Sequence, residues 1–227
     1  MASTINALTS GGGGLTMVGD ATGNLDIQSG GSTVVAVTST GASVTGTLAA
    51  TGAITGSSTV AGSTGILYPL TSGTAVATTS GTSIDFTSIP SWVKRITVMF
   101  NGVSSSGTSL VQLQIGAGSV DATGYSSTAA GVANTGNTVT AIASTTGFLI
   151  SSVGTATNTL SGAVRLTLLG SNMWVSDGSL SQNGGGFVGG FTAGGVKTAS
   201  GTLDRIRLTT VNGTDTFDAG SINILYE

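Results

Sequence analysis

The chain has 227 residues, 38 of them glycine, and carries only six Lys and Arg against nine Asp and Glu, for a formal net charge of -3. Without cysteine or histidine it has no disulfides, no usual ligand set for zinc, haem or iron–sulfur clusters, and no histidine-activated nucleophile. Six dispersed basic residues are too few to follow a nucleic-acid backbone, and no apolar run approaches the ~18 residues of a membrane span, so we expect neither nucleic acid nor membrane insertion.

Residues 1–30 predict an attachment segment. Four consecutive glycines, 11–14, precede Leu15, Met17 and Val18. Glycine lets the backbone pass close to another protein's surface, where the aliphatic side chains can insert. A frayed terminus is the alternative interpretation. No basic segment precedes an apolar run here, so the sequence predicts no secretory signal.

Residues 31–67 contain an internal repeat in which Leu48, Ile54, Val60 and Ile66 recur every six residues. An even period places all four on one face of an extended chain. A hexapeptide solenoid needs about eighteen residues per coil and about three coils for stability, whereas this repeat supplies about one. We therefore expect identical chains to associate around an axis lined by these four side chains. A flexible Gly/Ser/Thr linker is the alternative.

Residues 68–227 show the patterns of β-strands. Alternation at 95–100 places Ile96, Val98 and Phe100 on one face, and 110–115 and 203–208 behave similarly, which predicts half-buried strands. More continuous apolar runs at 147–150, 164–169, 173–175 and 222–226 predict strands covered on both faces. The only helical candidate is a single turn at 90–93. Short strands separated by Gly and Asn turns predict an antiparallel β-sandwich, jelly-roll-like in type.

Two stretches without strand patterning, 116–136 and 182–195, predict surface loops that bind a ligand. In the first, the flat ring of Tyr125 makes it the best candidate for stacking on a sugar, with Asp121 close by in sequence, although we favour an ordinary loop anchor as its role. In the second, glycines surround Phe187 and Phe191 and would leave both rings prominent. We favour burial of these two rings in the core or in a subunit interface, because buried aromatic side chains dominate both.

The acidic residues predict no enzyme and no metal site. A glycosidase needs two carboxylates held across a sugar cleft, and no motif marks such a pair. Asp204 beside Arg205 and Arg207 predicts ion pairs on a strand face, and the spacing of Asp215 and Asp218 matches no EF-hand-like calcium loop. We therefore expect no cofactor. The carboxylates that could serve such a reaction are Asp85, Asp121, Asp177, Asp204, Asp215 and Asp218.

Two segments carry a resemblance to a known family. DFTSIPSWVKRITV at 85–98 and DTFDAGSINILYE at 215–227, together with the Gly/Thr-rich hexads, resemble the C-terminal part of bacteriophage tail fibre proteins. The resemblance covers residues 82–227. Before residue 82 it is limited to the Gly/Thr-rich character of the sequence. It implies a homotrimeric fibre with a thin intertwined shaft and a distal β-sandwich head that contacts the host. Related fibres that bind metal through histidine motifs match poorly, since this chain has no histidine.

The resemblance and the residues together predict a structural virion protein. Residues 1–30 would attach to a virion tail or baseplate protein, 31–67 would form the trimeric β shaft, and 68–227 would bind a host surface glycan or protein. A capsid-attached head fibre or decoration protein of the same architecture is the alternative. A polysaccharide depolymerase is a weaker third candidate.

Overall fold

The computed structural model describes residues 25–46, 60–62, 65–67, 70–134, 139–184 and 187–227. Within these ranges every regular element is a β-strand and every strand pair is antiparallel, which confirms the predicted all-β class. No helix in the described ranges is long and apolar enough to cross a membrane. The chain divides into two compact units, Met1–Thr59 and Val60–Glu227. Outside the described residues lie Leu15, Met17, Val18, Leu48 and Ile54.

The described part of the first unit is a three-stranded sheet formed by β1 (Leu25–Ser29), β2 (Ser32–Thr38) and β3 (Gly41–Val44). Gly30 and Gly31 both have positive φ, which is the requirement of a tight type I′ hairpin turn between β1 and β2. No described residue of this sheet is buried, as expected for a segment without a core of its own.

The second unit begins with a short hairpin of β4 (Val60–Gly62) and β5 (Gly65–Leu67). In it Val60 lies opposite Leu67, and Ala61 lies opposite Ile66. Two of the four hexad residues therefore lie in the same intrachain hairpin. Their role at a trimer axis stays a prediction, because only the backbone of this hairpin is described.

Residues 70–227 form two antiparallel sheets, which we call the large and the small sheet. The large sheet has the order β13-β12-β17-β16-β15-β9-β19-β6, and β7 also pairs with β19. The small sheet has the order β11-β10-β18-β8, and β14 also pairs with β10. The large-sheet strands are β6 (Thr71–Ser72), β7 (Val76–Ala77), β9 (Arg95–Ser105), β12 (Ser126–Ala133), β13 (Val139–Ser144), β15 (Thr159–Gly170), β16 (Met173–Asn183), β17 (Gly189–Thr198) and β19 (Phe217–Tyr226). The small-sheet strands are β8 (Ser83–Phe86), β10 (Val111–Ala117), β11 (Ser119–Val120), β14 (Phe148–Leu149) and β18 (Arg205–Thr210).

One hydrophobic core joins the inner faces of the two sheets. From the large sheet, Ile96, Val98 and Phe100 point inward as predicted and are at most 4% exposed. From the small sheet, Leu113 and Leu208 are fully buried in the same cluster. The two sheets therefore stabilise each other by burying apolar surface that neither could bury alone. Residues 90–93 form a hydrogen-bonded turn, in which Val93 N donates to Pro90 O, instead of a helical turn.

Three predictions of strand burial were wrong. β10 was expected to be half-buried, but Gln112 and Gln114 on its outer face are also buried. The reason is Thr146, whose hydroxyl donates to Gln112 and whose carbonyl accepts from Gln114, so that the 145–147 segment covers this face. Conversely, 164–169 and 173–175 were expected to be covered on both faces, yet Arg165 and Leu169 of β15 and Val175 of β16 are exposed.

The two predicted binding loops are largely strands. β12 lies within 116–136, β17 covers much of 182–195, and the two pair along their length, from Ser126 opposite Val196 to Ala133 opposite Gly189. β12 does alternate between buried and exposed positions, but its buried positions hold only Ser, Ala and Gly. Gly131 is one of them, because the ring of Phe191 occupies the space of a side chain there.

We predict that Gly131→Ala destabilises the fold. A Cβ at Gly131 would lie 2.4 Å from the Phe191 ring, so the buried ring would have to move, at a cost of about 1–3 kcal/mol. Gly190→Ala, in the neighbouring strand, is the matched control, because nothing lies closer than 4.0 Å to its added Cβ. Urea unfolding measures both. Equal stabilities of the two variants would contradict the packing of Phe191 on Gly131.

Candidate functional site

The strand register gives residues 70–227 two distinct ends. At one end Tyr226 of β19 lies opposite both Ile96 and Thr71, so the first described residues of this part of the chain lie here. We call this the near end. At the other end Phe217 lies opposite Ser105. We call this the far end, and it carries the loops 106–110, 150–158 and 211–216 and the connection from β16 to β17, of which residues 184, 187 and 188 are described.

Tyr125 lies at the near end and is only 3% exposed, as the loop-anchor interpretation expects, so its ring is not available for stacking on a sugar. Its hydroxyl accepts a hydrogen bond from Ile115 N (2.8 Å) and donates to the carbonyl of Asp121 (2.9 Å). Its ring packs edge-on against Phe148 with centroids 5.0 Å apart. Burial raises the pKa of the Tyr125 phenol well above its ordinary value, so the group stays neutral. Tyr125 is therefore a loop anchor.

Asp121 forms part of the same loop anchor. Its carboxylate accepts from Ser200 N (2.9 Å) and lies 3.5 Å from the Lys197 amino group, and both charged side chains are largely buried. The Lys197 nitrogen in turn lies 5.3 Å from the centre of the Tyr125 ring, within the range of a cation–π contact. This cluster holds the 118–125 segment against β17. Because the Asp121 carboxylate is already paired, it has little remaining capacity to bind a receptor.

Phe187 and Phe191 are also buried, as the favoured interpretation expects, so they are not the prominent rings of a binding loop. Their rings stack with centroids 4.9 Å apart and are 6% and 2% exposed. With Ala133, and with Val153 packed against them, they form a second small apolar cluster. The structure therefore brings Phe187 and Phe191 together and likewise Tyr125 and Asp121, but it does not bring the two pairs into one site.

The far-end loops are packed against one another through glycines. An added Cβ at Gly154 would lie 2.2 Å from Thr108 O, and one at Gly184 would lie 2.3 Å from Thr157 O. Such distances are shorter than any side chain allows, so only glycine permits these approaches. Three of the four far-end loops are therefore held in fixed contact with another loop or strand end, which makes this end a preorganised surface.

Asp215 fixes a further far-end loop by accepting hydrogen bonds. Its carboxylate accepts from Ser109 N at 2.9 Å and from the side-chain amide of Asn212 at 2.7 Å. The side-chain oxygen Oδ1 of Asn212 accepts in turn from Thr214 N. The bond from Asn212, followed by that from Ser109, lowers the pKa of Asp215 below its ordinary value. Because these bonds already use the carboxylate, Asp215 acts in this structure as a link between loops.

The far-end loops offer neutral chemistry. None of them contains a Lys or Arg in the sequence. Their exposed residues include Val188, Asn212 and Thr214, which provide an amide, a hydroxyl and small apolar surface. Among the described residues, no three His, Cys, Asp or Glu side chains come together as a metal site would require. This surface suits recognition by shape and neutral hydrogen bonds.

A second surface lies on the outer face of the large sheet. A shallow depression of about 540 Å³ there is lined by Thr97, Ser179 and Thr192 around the two-hydrogen-bond ion pair of Arg165 with Asp177. The pair arises because these residues lie opposite each other on β15 and β16. Sequence reasoning missed this surface, since only the strand register could have brought its polar residues together.

Comparison with protein-family models, curated proteins and solved structures finds no match to this chain. A functional assignment therefore depends on the residues and geometry of the chain.

We predict that stability falls in acid partly through Asp215. Since the folded pKa is lowered from the ordinary 3.8, the carboxylate stabilises the fold above that pH and loses this contribution as the pH falls through the folded value. Asp215→Asn should therefore lower the melting temperature at pH 7 and flatten its decline between about pH 5 and 2. Thr214→Ala is the matched control. A pH profile of Asp215→Asn parallel to the wild type would contradict this role.

Proposed function

We propose that the chain is a structural virion protein, a homotrimeric phage tail fibre that attaches the particle to a host surface receptor. The observation that carries the proposal is the difference between the two ends of residues 70–227. Their first residues lie at the near end, and a preorganised, nearly uncharged loop surface lies at the far end. In a fibre anchored through residues 1–30, the far end of a jelly-roll-like head would face away from the particle.

The exposed apolar residues of the first unit support self-association. Ile27, Val37 and Val44 in β1, β2 and β3 are 52%, 39% and 38% exposed, and no described residue of that sheet is buried. A three-stranded sheet of this kind buries too little apolar surface to be stable alone. Identical chains could cover these side chains, with Leu48, Ile54, Val60 and Ile66 at the axis of the shaft.

The state of the acidic residues favours a binding protein over a depolymerase. Glycoside hydrolysis needs two carboxylates free to act across a sugar. Here most described carboxylates already bind a cation or backbone amides: Asp85 with Arg207, Asp121 with Lys197, Asp177 with Arg165, Asp204 with Arg205, and Asp215 with Ser109. A capsid-attached head fibre or decoration protein would share the same architecture, and locating the chain on the particle distinguishes it from a tail fibre.

We predict that the purified protein binds the host cells of the particle and competes with it for adsorption. Because the far-end loops contain no basic residue, raising the salt from about 0.05 to 0.5 M should change binding less than about threefold. Flow cytometry of labelled protein measures the binding. The same incubation, analysed for released oligosaccharides, tests the depolymerase alternative. Absence of binding, or sustained release of oligosaccharides, would contradict the proposal.

The native mass of the same preparation tests the trimer. We expect three times the 21.9 kDa of one chain by sedimentation. Ile54→Asp should dissociate the trimer, because threefold symmetry would bring three charges together at the axis. Thr55→Asp, which falls on the opposite face of an extended chain, is the matched control. A folded monomer, or equal effects of the two variants, would overturn the predicted axis.

A further inference from the structure

A small polar cavity lies inside the far end, beneath the loop 150–158. Its walls come from the end of β9, from that loop and from the ends of β15 and β16. The cavity is small enough that the centre of a water molecule can occupy only about 10 Å³ of it. Its lining combines apolar and polar side chains, among them Val103, Leu160, Ser104, Ser151, Asn158 and Gln182.

Two of the lining residues are buried amides with unpaired atoms. Asn158 is 5% exposed and Gln182 is 2% exposed. Within the described part of the chain, three of their side-chain atoms have no hydrogen-bond partner: Nδ2 and Oδ1 of Asn158, and Nε2 of Gln182. Buried polar atoms in folded proteins are nearly always paired, with protein or with an ordered water, because an unpaired one disfavours the folded state.

The local structure holds both amides in place. Asn158 ends a turn in which its backbone N donates to Thr155 O at 3.0 Å. Gly184 packs on this turn, since a Cβ there would lie 2.3 Å from Thr157 O. Gln182 occupies an inward position of β16, opposite Leu160 and two residues after the buried Leu180. The turn and the strand position therefore place both side chains inside the fold.

We propose that this cavity is a binding site for one internal water molecule, held by Asn158 and Gln182. A buried water makes about three hydrogen bonds, and a cavity holds one when about 10–15 Å³ is open to its centre. The number of unpaired atoms and the volume both match these values. A sugar ring or an acetamido group is far larger than this space. The water links the loop 150–158 to β16 and so supports the far-end surface from below.

The direct test is a high-resolution crystal structure of the full chain, together with nitrogen-15-edited nuclear Overhauser spectra. We expect one ordered water within 3.5 Å of both amides, and cross-peaks from the side-chain NH₂ groups of Asn158 and Gln182 to a long-lived water. The proposal is overturned if the two amides bond to each other or to other atoms of the chain, or if no water is found between them.

Leucine variants test whether the two amides act through a shared water. Asn158→Leu and Gln182→Leu should each lower the folded-to-unfolded ratio by about 5- to 30-fold, because each leaves the water and the other amide poorly bonded. The double variant should lower the folded-to-unfolded ratio by much less than the product of the two single-variant factors, since it removes the need for the water. Asn183→Leu, on the exposed face of β16, is the control and should change the ratio less than about twofold. Independent effects of the two substitutions would overturn the proposal, and if a variant fails to fold, the wild-type spectra decide.

Discussion

The mutual burial of the two sheets' inner faces is the constraint on which the rest of residues 70–227 depends. With 7% charged residues, the chain cannot draw its stability from ion pairs, and the large rings of Phe148 and Phe217 fill the space between the sheets instead. Gly195 on β17 shows how closely the chain packs near one of these rings, because a Cβ there would lie 2.6 Å from Ser126 O of β12 and 3.1 Å from the Phe148 ring.

Glycine has a second role at the far end, where backbone meets backbone. At Gly154 and Gly184 the missing side chain lets one segment rest directly on another, and at Gly107 it makes room for the Asp215 carboxylate. These contacts hold the loops in one arrangement, and the charged side chain among them, Asp215, accepts hydrogen bonds from within the chain. A surface fixed in this way can bind a neutral partner without first losing conformational entropy, which favours a recognition role.

The parts of the fold predicted from sequence are those in which apolar residues alternate with polar ones. Ile96, Val98 and Phe100 stand on the inner face of β9 as expected, and Ile206 and Leu208 are buried in β18. β12 was missed because its inward residues are Ser, Ala and Gly, and the ring that fills their space belongs to Phe191, sixty residues away in the sequence. The candidate site failed for the same reason, since burial of Tyr125 depends on contacts with Ile115 and Phe148 that only the register of the strands reveals.

The most direct test of the account is to block each end of residues 70–227 in turn and measure binding to host cells. The chain has no cysteine, so a single introduced thiol can carry a bulky polymer at one chosen position. Thr214→Cys places the polymer at the far end and Thr123→Cys at the near end, and both residues are exposed. We expect the far-end polymer to reduce binding at least about tenfold, which corresponds to about 1.4 kcal/mol. The near-end polymer should leave binding within about twofold of that of the unmodified protein. Loss of binding only with the near-end polymer would contradict the account.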